Sequence, residues 1–394
     1  MRKVTRATQE DGDKIRPGRV AVALLIETSN AYARGLLDGI NAFQRRHGAW
    51  SIYLPEQGRG AQPPAWLANW RGHGIIARLE NDAIAKAVMH TDLPVVDVSA
   101  ARTIESIPWV ETDDAAISRL AVRHFVERGF RRLAFCGDDR FNWSRWRQEK
   151  FLAAAKDAGC SVEVYPGKRS ARATWDEEHE RLKAWVESLP KPIGVMTCYD
   201  ILGQQLLDAC RDADVAVPEE VAVVGVDDDE ILCSLCTPPL SSIRPDTFRT
   251  GFAAAELLQK MMDGEDVAAR GYFLEPLGLT TRQSSDVLAI ADPDIAAALR
   301  FIRERACDGI KVTDILAAVP LSRRVLEDRF KKLLGRSPHE EIERLRIERV
   351  KQLLTETDLS LAAIARRAGY EHTEYLSVAF KRAEGVPPSE FRKR

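Results

Sequence analysis

The sequence predicts a chain of two unlike parts. The first is an α/β body of two lobes, each a doubly wound parallel sheet, and the second is an all-α unit that carries a helix-turn-helix twice. Three observations predict this. Short buried strands alternate with amphipathic helices from Arg19 to about Arg282, the strand pattern stops within "TRQSSDVLAIADPD" (281–294), and the helical remainder repeats itself. At 394 residues the chain also exceeds what one ordinary core supports.

Residues 1–18 form a charged tail without the apolar middle of a signal peptide, and no apolar run approaches the roughly 20 residues of a membrane span. The expected location is therefore the cytoplasm. The runs "VAVALLI" (20–26), "GIIARL" (74–79), "LPVVDV" (93–98), "RRLAFCG" (131–137), "PIGVMTC" (192–198) and "EVAVVGVD" (220–227) read as buried parallel strands. Between them lie helical patterns such as "AYARGLLDGINAFQRRHG" and "DDAAISRLAVRHFVERG", the latter closed by a C-terminal glycine. Some 260 residues of this alternation make two lobes, 19–283, with a ligand cleft between them at the carboxyl ends of the strands. No G-x-G-x-x-G follows the first strand and no G-x-x-x-x-G-K-[ST] occurs, which disfavours a dinucleotide or nucleoside-triphosphate fold.

A linker is expected over 284–292, with Asp292-Pro293 opening the next helix. In the helical unit, 293–394, Val312, Ile315, Leu316 and Val319 recur 49 residues later as Leu361, Ile364, Ala365 and Ala368. Leu326, Phe330, Gly335 and Pro338 recur 50 residues later as Leu376, Phe380, Gly385 and Pro388, so the second corner holds one extra residue. Each copy, about 311–335 and 360–385, is a short helix, a tight corner, a longer helix and a Gly-Pro stop, and "SPHEEIERLRIERVKQLLTETD" joins the two.

Charge separates along the same boundary. From Pro293 onward 21 Lys and Arg face 16 Asp and Glu, whereas the remainder holds 36 against 43. A basic unit on an acidic body is what an intracellular nucleic-acid binder shows, and the doubled helix-turn-helix makes double-stranded DNA the expected partner. With Leu326, Phe330 and Leu333 or Leu334 inward, the first longer helix offers Arg323, Arg324, Glu327, Asp328 and Lys331. With Leu376, Ala379, Phe380 and Ala383 inward, the second offers His372, Thr373, Glu374, Ser377 and Lys381. Arg forks onto guanine, Glu accepts from cytosine, and Ser or Thr meets either base or the thymine methyl. Lys331, Lys332, Arg336, Lys381 and Arg382 suit phosphates, which position without specifying. The structural alternative is that these are solvated faces of a bundle.

Seven cysteines are scattered, with Cys233 and Cys236 in "CSLC" forming a lone C-x-x-C. No second pair or His cluster stands near it, so buried or half-buried thiols are expected, without metal or cofactor.

Residues 293–394 resemble the DNA-binding domain of the arabinose-operon activator (AraC/XylS) family. The resemblance rests on Ile364-Ala365, Gly369-Tyr370, Leu376, Phe380-Lys381, Gly385, Pro388 and Phe391-Arg392, while Val378 departs from it where members often carry a polar or basic side chain. Residues 19–283 resemble the periplasmic-binding-protein-like effector domain of the lactose and purine repressor family, most clearly in "PEEVAVVGVDDDEILCSLCTPPLSSIRPDTFRTGFAAAELL" (218–258). That family's N-terminal helix-turn-helix has no room in 18 residues. The combined layout resembles the xylose operon regulatory protein family, which implies a sugar-responsive regulator of transcription, D-xylose as effector, activation of pentose genes, a homodimer on paired promoter sites, and RNA polymerase as a partner.

A sugar needs groups that grip hydroxyls and an aromatic face for its C–H surface. The strand ends offer Asn30, Tyr32, Arg34, Asp113, Trp143, Arg147, Asp200 and Asp227. Similarity to the repressor family singles out Arg147, Asp200 and Asp227, although Asp113 and Asp200 equally suit helix N-caps. The same groups would suit a purine or an amino acid. Three other functions stay open: the same architecture with another sugar or a repressing role, a sugar-handling enzyme with a helical appendix, and a transport component. An enzyme would need a phosphate loop, metal cluster or activated nucleophile, and none appears at recognisable spacing.

Overall fold

The computed structural model describes residues 19–48, 50–56, 58, 61–167, 174–287 and 292–392. The expected tail at 1–18 and residues 288–291 of the expected linker lie outside the described residues. Among those described, twelve strands form: β1 (Ala21–Leu25), β2 (Ser51–Tyr53), β3 (Gly74–Ala77), β4 (Val95–Asp97), β5 (Trp109–Thr112), β6 (Arg132–Cys136), β7 (Ser161–Val164), β8 (Ile193–Thr197), β9 (Val221–Val226), β10 (Ser241–Arg244), β11 (Gly271–Leu274) and β12 (Gly278–Thr280). They make two six-stranded sheets, ordered β11-β5-β4-β3-β1-β2 and β12-β10-β9-β8-β6-β7. All pairings are parallel except β10 with β12.

The six apolar runs became β1, β3, β4, β6, β8 and β9, which lie inside the sheets, covered on both faces. Of the other six strands, β2, β7, β11 and β12 are sheet edges, and a half-covered edge needs no continuous apolar run. β5 and β10 end in polar residues because the chain leaves the lobe there. It crosses between lobes three times: from β5 into the helix Asp114–Glu127, from β10 into the helix Thr247–Met262, and from β11 to β12.

In the first lobe the helices Ala31–His47 and Thr247–Met262 touch backbone to backbone. A Cβ on Gly39 would stand 2.0 Å from the Phe248 carbonyl oxygen, and one on Gly251 equally close to that of Leu36. The second lobe is closed by Ser284, Ser285 and Val287, residues at or beyond the expected boundary. The Ser284 backbone exchanges hydrogen bonds with Val223 and Pro239, Ser285 Oγ lies 2.7 Å from His124 Nε2, and Val287 packs in that lobe's core.

Asp292 caps the helix Pro293–Arg305, accepting from the amides of Asp294 and Ile295. The two helix pairs follow as Val312–Ala318 with Arg323–Leu334, and Leu361–Arg367 with Thr373–Glu384. Their bounds keep the offsets of 49 and 50, and Gly335 and Gly385 stop both longer helices with φ of 71° and 76°. The joining helix, Pro338–Glu356, serves both pairs. It gives Ile342 and Leu345 to the first core and Ile347, Val350, Leu353 and Leu354 to the second. Leu326, Phe330, Leu334, Leu376, Ala379 and Phe380 are buried. Ala383, read as inward, is exposed, because Phe391 closes that end of the core against Phe380.

Arg346 on the joining helix ties the pairs together. Its guanidinium donates to the carbonyls of Ala306 (2.8 Å) and Ile310 (3.0 Å) and lies 5.6 Å from the Tyr370 ring centre in the second corner. Gly369, in that corner, has φ of 78°, and a Cβ there would stand 2.8 Å from the Cys307 carbonyl oxygen and 2.9 Å from that of Ala306. Gly369→Ala should therefore destabilise the helical unit by about 2 kcal/mol or more, lowering its melting transition in calorimetry while the α/β body keeps its own.

Candidate functional site

The cleft between the lobes is built where strands of both sheets end, and it is lined by Tyr32, Arg78, Ser99, Thr112, Trp143, Arg147, Tyr199 and Asp227. Arg78 follows β3 and is nearly fully buried. It binds Glu27 at 2.5 Å and Glu80 at 2.6 Å, and sits 5.2 Å from the Tyr32 ring centre. Desolvation pushes the Tyr32 phenol up to about 12, so it remains a neutral donor at physiological pH. From the other lobe, Arg147 donates to Asp114 at 2.7 Å and to the Cys198 carbonyl at 2.5 Å, and covers the Trp143 ring at 5.5 Å. Trp143 stacks on Phe141 and meets Tyr199 edge-on, which leaves a rigid apolar wall. Asp227 enters after β9 with φ of 117°, a conformation rare for a residue with a side chain, and its charge is felt by Tyr32, Arg78 and Arg147.

Among the described residues, one hydroxyl of this wall is buried without a hydrogen-bond partner, beside the equally unbonded Nε of Arg78. Thr112 is 5% exposed and its Oγ1 is buried and unbonded. Desolvation of such a group is uncompensated until something in the cleft meets it. The cavity left between the walls is about 30 Å³, room for only a water or two, so a larger ligand enters with the lobes apart. Among the described residues, contacts across the cleft include Asn142 donating to the Ala101 carbonyl at 3.2 Å, Arg102 lying 5.5 Å from the Trp146 ring, and Ala100 packing on the second lobe's core.

Of the residues singled out in sequence, Tyr32, Trp143, Arg147 and Asp227 converge on this cleft. The others serve nearby structure. Asn30 caps the helix Ala31–His47 and donates to Glu27, and Asp113 caps the helix Asp114–Glu127. Arg34 is exposed and reaches the Thr28 carbonyl. Asp200 is buried beneath the loop after β9, where it accepts from the Asp229 amide (2.9 Å), the Ser242 hydroxyl (2.6 Å) and the Cys233 thiol (3.4 Å). Desolvation and the charge of Asp227 raise its pKa well above the ordinary value. Sequence reading missed Arg78, Ser99, Thr112, Asp114 and Tyr199. A signal existed for Arg78, an arginine ending a buried strand in "GIIARLE".

On the outer faces of the helical unit, Arg323 pairs with Glu327 at 2.9 Å and Arg324 with Asp328 at 3.9 Å, while Lys331, Lys332, Lys381 and Arg382 are exposed. Arg336 pairs instead with the buried Glu341, which Arg344 also holds at 2.9 Å. On the second face His372 and Glu374 are exposed, Thr373 is half-buried, and Ser377 returns its hydroxyl to the Thr373 carbonyl. Tyr375 and Val378 stand out into solvent beside them, each 67% exposed. Among the described residues no helix is long and apolar enough to cross a membrane, and no cluster of His, Cys, Asp or Glu could hold a metal ion. Cys233 and Cys236 are buried free thiols, both raised in pKa by burial.

Residues 21–115 match the sequence family described as the XylR N-terminal domain, 122–285 the periplasmic binding protein-like domain, and 315–394 a helix-turn-helix domain. The chain is 31% identical to the "Xylose operon regulatory protein" of Escherichia coli K12 over 95% of its own length and 97% of that protein's. The protein of the same name from Haemophilus influenzae is 31% identical over 94% and 97%. A solved structure described as xylose-binding transcription activator xylR superposes with a TM-score of 0.82 at 30% identity, covering 96% of this chain and 98% of that one.

The buried Arg147–Asp114 pair can be tested without any ligand. Arg147→Met strands the Asp114 carboxylate and should cost about 3 kcal/mol in urea denaturation, and adding Asp114→Asn should recover most of it. Equal losses in the single and double variants would show that Arg147 acts through packing alone.

Proposed function

The chain belongs to the family of xylose operon regulatory proteins, and from that premise we propose that it is a D-xylose-responsive activator of transcription. The single observation that carries the ligand reading is Thr112 Oγ1, a buried hydroxyl without a partner, facing a cleft whose walls also hold two arginines, a carboxylate and the Trp143 ring. A pentose meets that set: hydroxyls for Thr112, Arg78, Arg147, Asp227 and the neutral Tyr32 phenol, and a C–H face for Trp143. The names of the relatives support xylose over other pentoses.

Sugar binding would stabilise one spacing of the lobes and so shift the population toward it. The three crossovers limit that motion to a hinge. Among the described residues, the ion pairs that join the helical unit to the body end on the second lobe: Arg303 with Glu219 at 2.8 Å, Arg344 with Asp286 at 2.9 Å and Arg300 with Asp214 at 3.5 Å. The reading unit thus rides on one lobe and swings relative to the other. Its two helix pairs would enter successive major-groove segments, with Arg323, Arg324, Glu327, Asp328 and Lys331 on one and His372, Thr373, Glu374, Ser377 and Lys381 on the other. A second copy of the chain on paired sites, and contact with RNA polymerase, complete this reading.

Fluorescence anisotropy with promoter DNA, with and without D-xylose, L-arabinose and D-ribose, tests it. D-xylose is expected to tighten binding and the others to do so less; equal affinity under every sugar would overturn the proposal. In the same assay Thr112→Val should raise the xylose concentration needed by about fivefold, from ~1 kcal/mol for one lost hydrogen bond. An unshifted xylose curve would remove Thr112 from the site.

A further inference from the structure

A second cavity, of about 420 Å³, lies at the junction between the second lobe and the helix Pro293–Arg305. That is within the range of small-molecule sites. It shares no lining residue with the cleft. Leu207, Val215, Val217 and Pro238 supply an apolar wall from the lobe, and Arg300 and Arg303 close it from the helical unit.

The polar centre of this cavity is half satisfied. Glu219 is 1% exposed, and its Oε1 accepts from Arg303 Nη2 at 2.8 Å and Nε at 3.3 Å. Glu219 Oε2 and Arg303 Nη1 are both buried and neither has a hydrogen-bond partner. A buried ion pair is favourable only when its remaining lone pairs and protons are met. What is missing is therefore specific: a donor for the carboxylate oxygen and an acceptor for the guanidinium. The charges around the cavity balance, with Arg211, Arg300 and Arg303 against Asp214, Glu219 and Glu304. An anion would meet Glu219 and a cation would meet Arg303, so neither suits the site. A hydroxyl gives and takes a hydrogen bond, and adjacent hydroxyls can do both at once.

We propose that this junction is a second binding site, for an uncharged polyol or monosaccharide that donates to Glu219 Oε2 and accepts from Arg303 Nη1. Glu219 belongs to the lobe and Arg303 to the helical unit, so an occupant fixes one against the other. The site is thereby coupled to the setting of the reading unit, independently of which sugar fills the cleft.

Isothermal titration calorimetry on the full chain tests this, using D-xylose, D-glucose and xylitol as uncharged probes and glucose 6-phosphate as the charged counterpart. Val215→Trp and, separately, Val217→Phe fill the cavity, and Glu219→Gln removes its unpaired acceptor. The expected result is one molar equivalent of an uncharged probe bound by the wild type beyond what either filled chain takes up. Its affinity should fall at least tenfold in Glu219→Gln and remain unchanged in Thr112→Val, which perturbs only the cleft. Equal stoichiometry in the wild type and both filled chains would mean a water-filled gap and overturn the proposal. An extra equivalent seen only with glucose 6-phosphate would overturn it as well.

Discussion

Three passages of chain between two lobes constrain everything else in the body. Since β5, β10 and β11 each hand the chain across, neither lobe can rotate freely, and the permitted motion is opening and closing of the cleft they border. The first of these crossings explains why the polar end of β5 carries cleft chemistry. A strand that stops in order to leave its lobe delivers its last residues to the gap between the lobes, and Thr112 and the Asp113-Asp114 pair stand at one such exit, Thr112 and Asp114 both buried there. Arg147 then reaches across from the helix Asn142–Asp157 to neutralise Asp114, which makes one residue both a structural tie and part of the cleft wall.

The helical unit solves a different problem. Two helix pairs of this size cannot hold a fixed relation through side-chain packing alone, since each has its own small core. Pro338–Glu356 gives each core one of its faces, and Arg346 fastens it to the turn after Arg305 and to Tyr370. Gly369 is glycine because that fastening brings backbone against backbone. Rigid spacing of two reading helices follows from contacts far from either outer face.

The body and the helical unit meet through ion pairs rather than a shared apolar core. Arg303, Arg344 and Arg300 reach Glu219, Asp286 and Asp214, all on the second lobe. A junction of this kind can shift between arrangements at modest cost, because charged groups released to water are rehydrated whereas a broken apolar core is not.

What was legible in the sequence was whatever local periodicity controls. The six fully covered strands, the repeat with its offsets of 49 and 50, the glycine stops and the Asp292 cap all depend on neighbours within a few residues. Tyr32, Trp143, Arg147 and Asp227 were also found, since a polar or aromatic residue at a strand end already stands where a cleft forms. The tertiary structure alone decided which of the remaining candidates face that cleft. Asp200 turned under the floor because Ser242, Asp229 and Cys233 arrive there from distant segments, and Arg78 became a wall because Glu27 and Glu80 hold it. Ala383 faces out, and Glu219 Oε2 is left without a partner, for the same reason. Burial and pairing are set by residues tens to hundreds of positions away, and no local pattern encodes which of them will come to lie alongside.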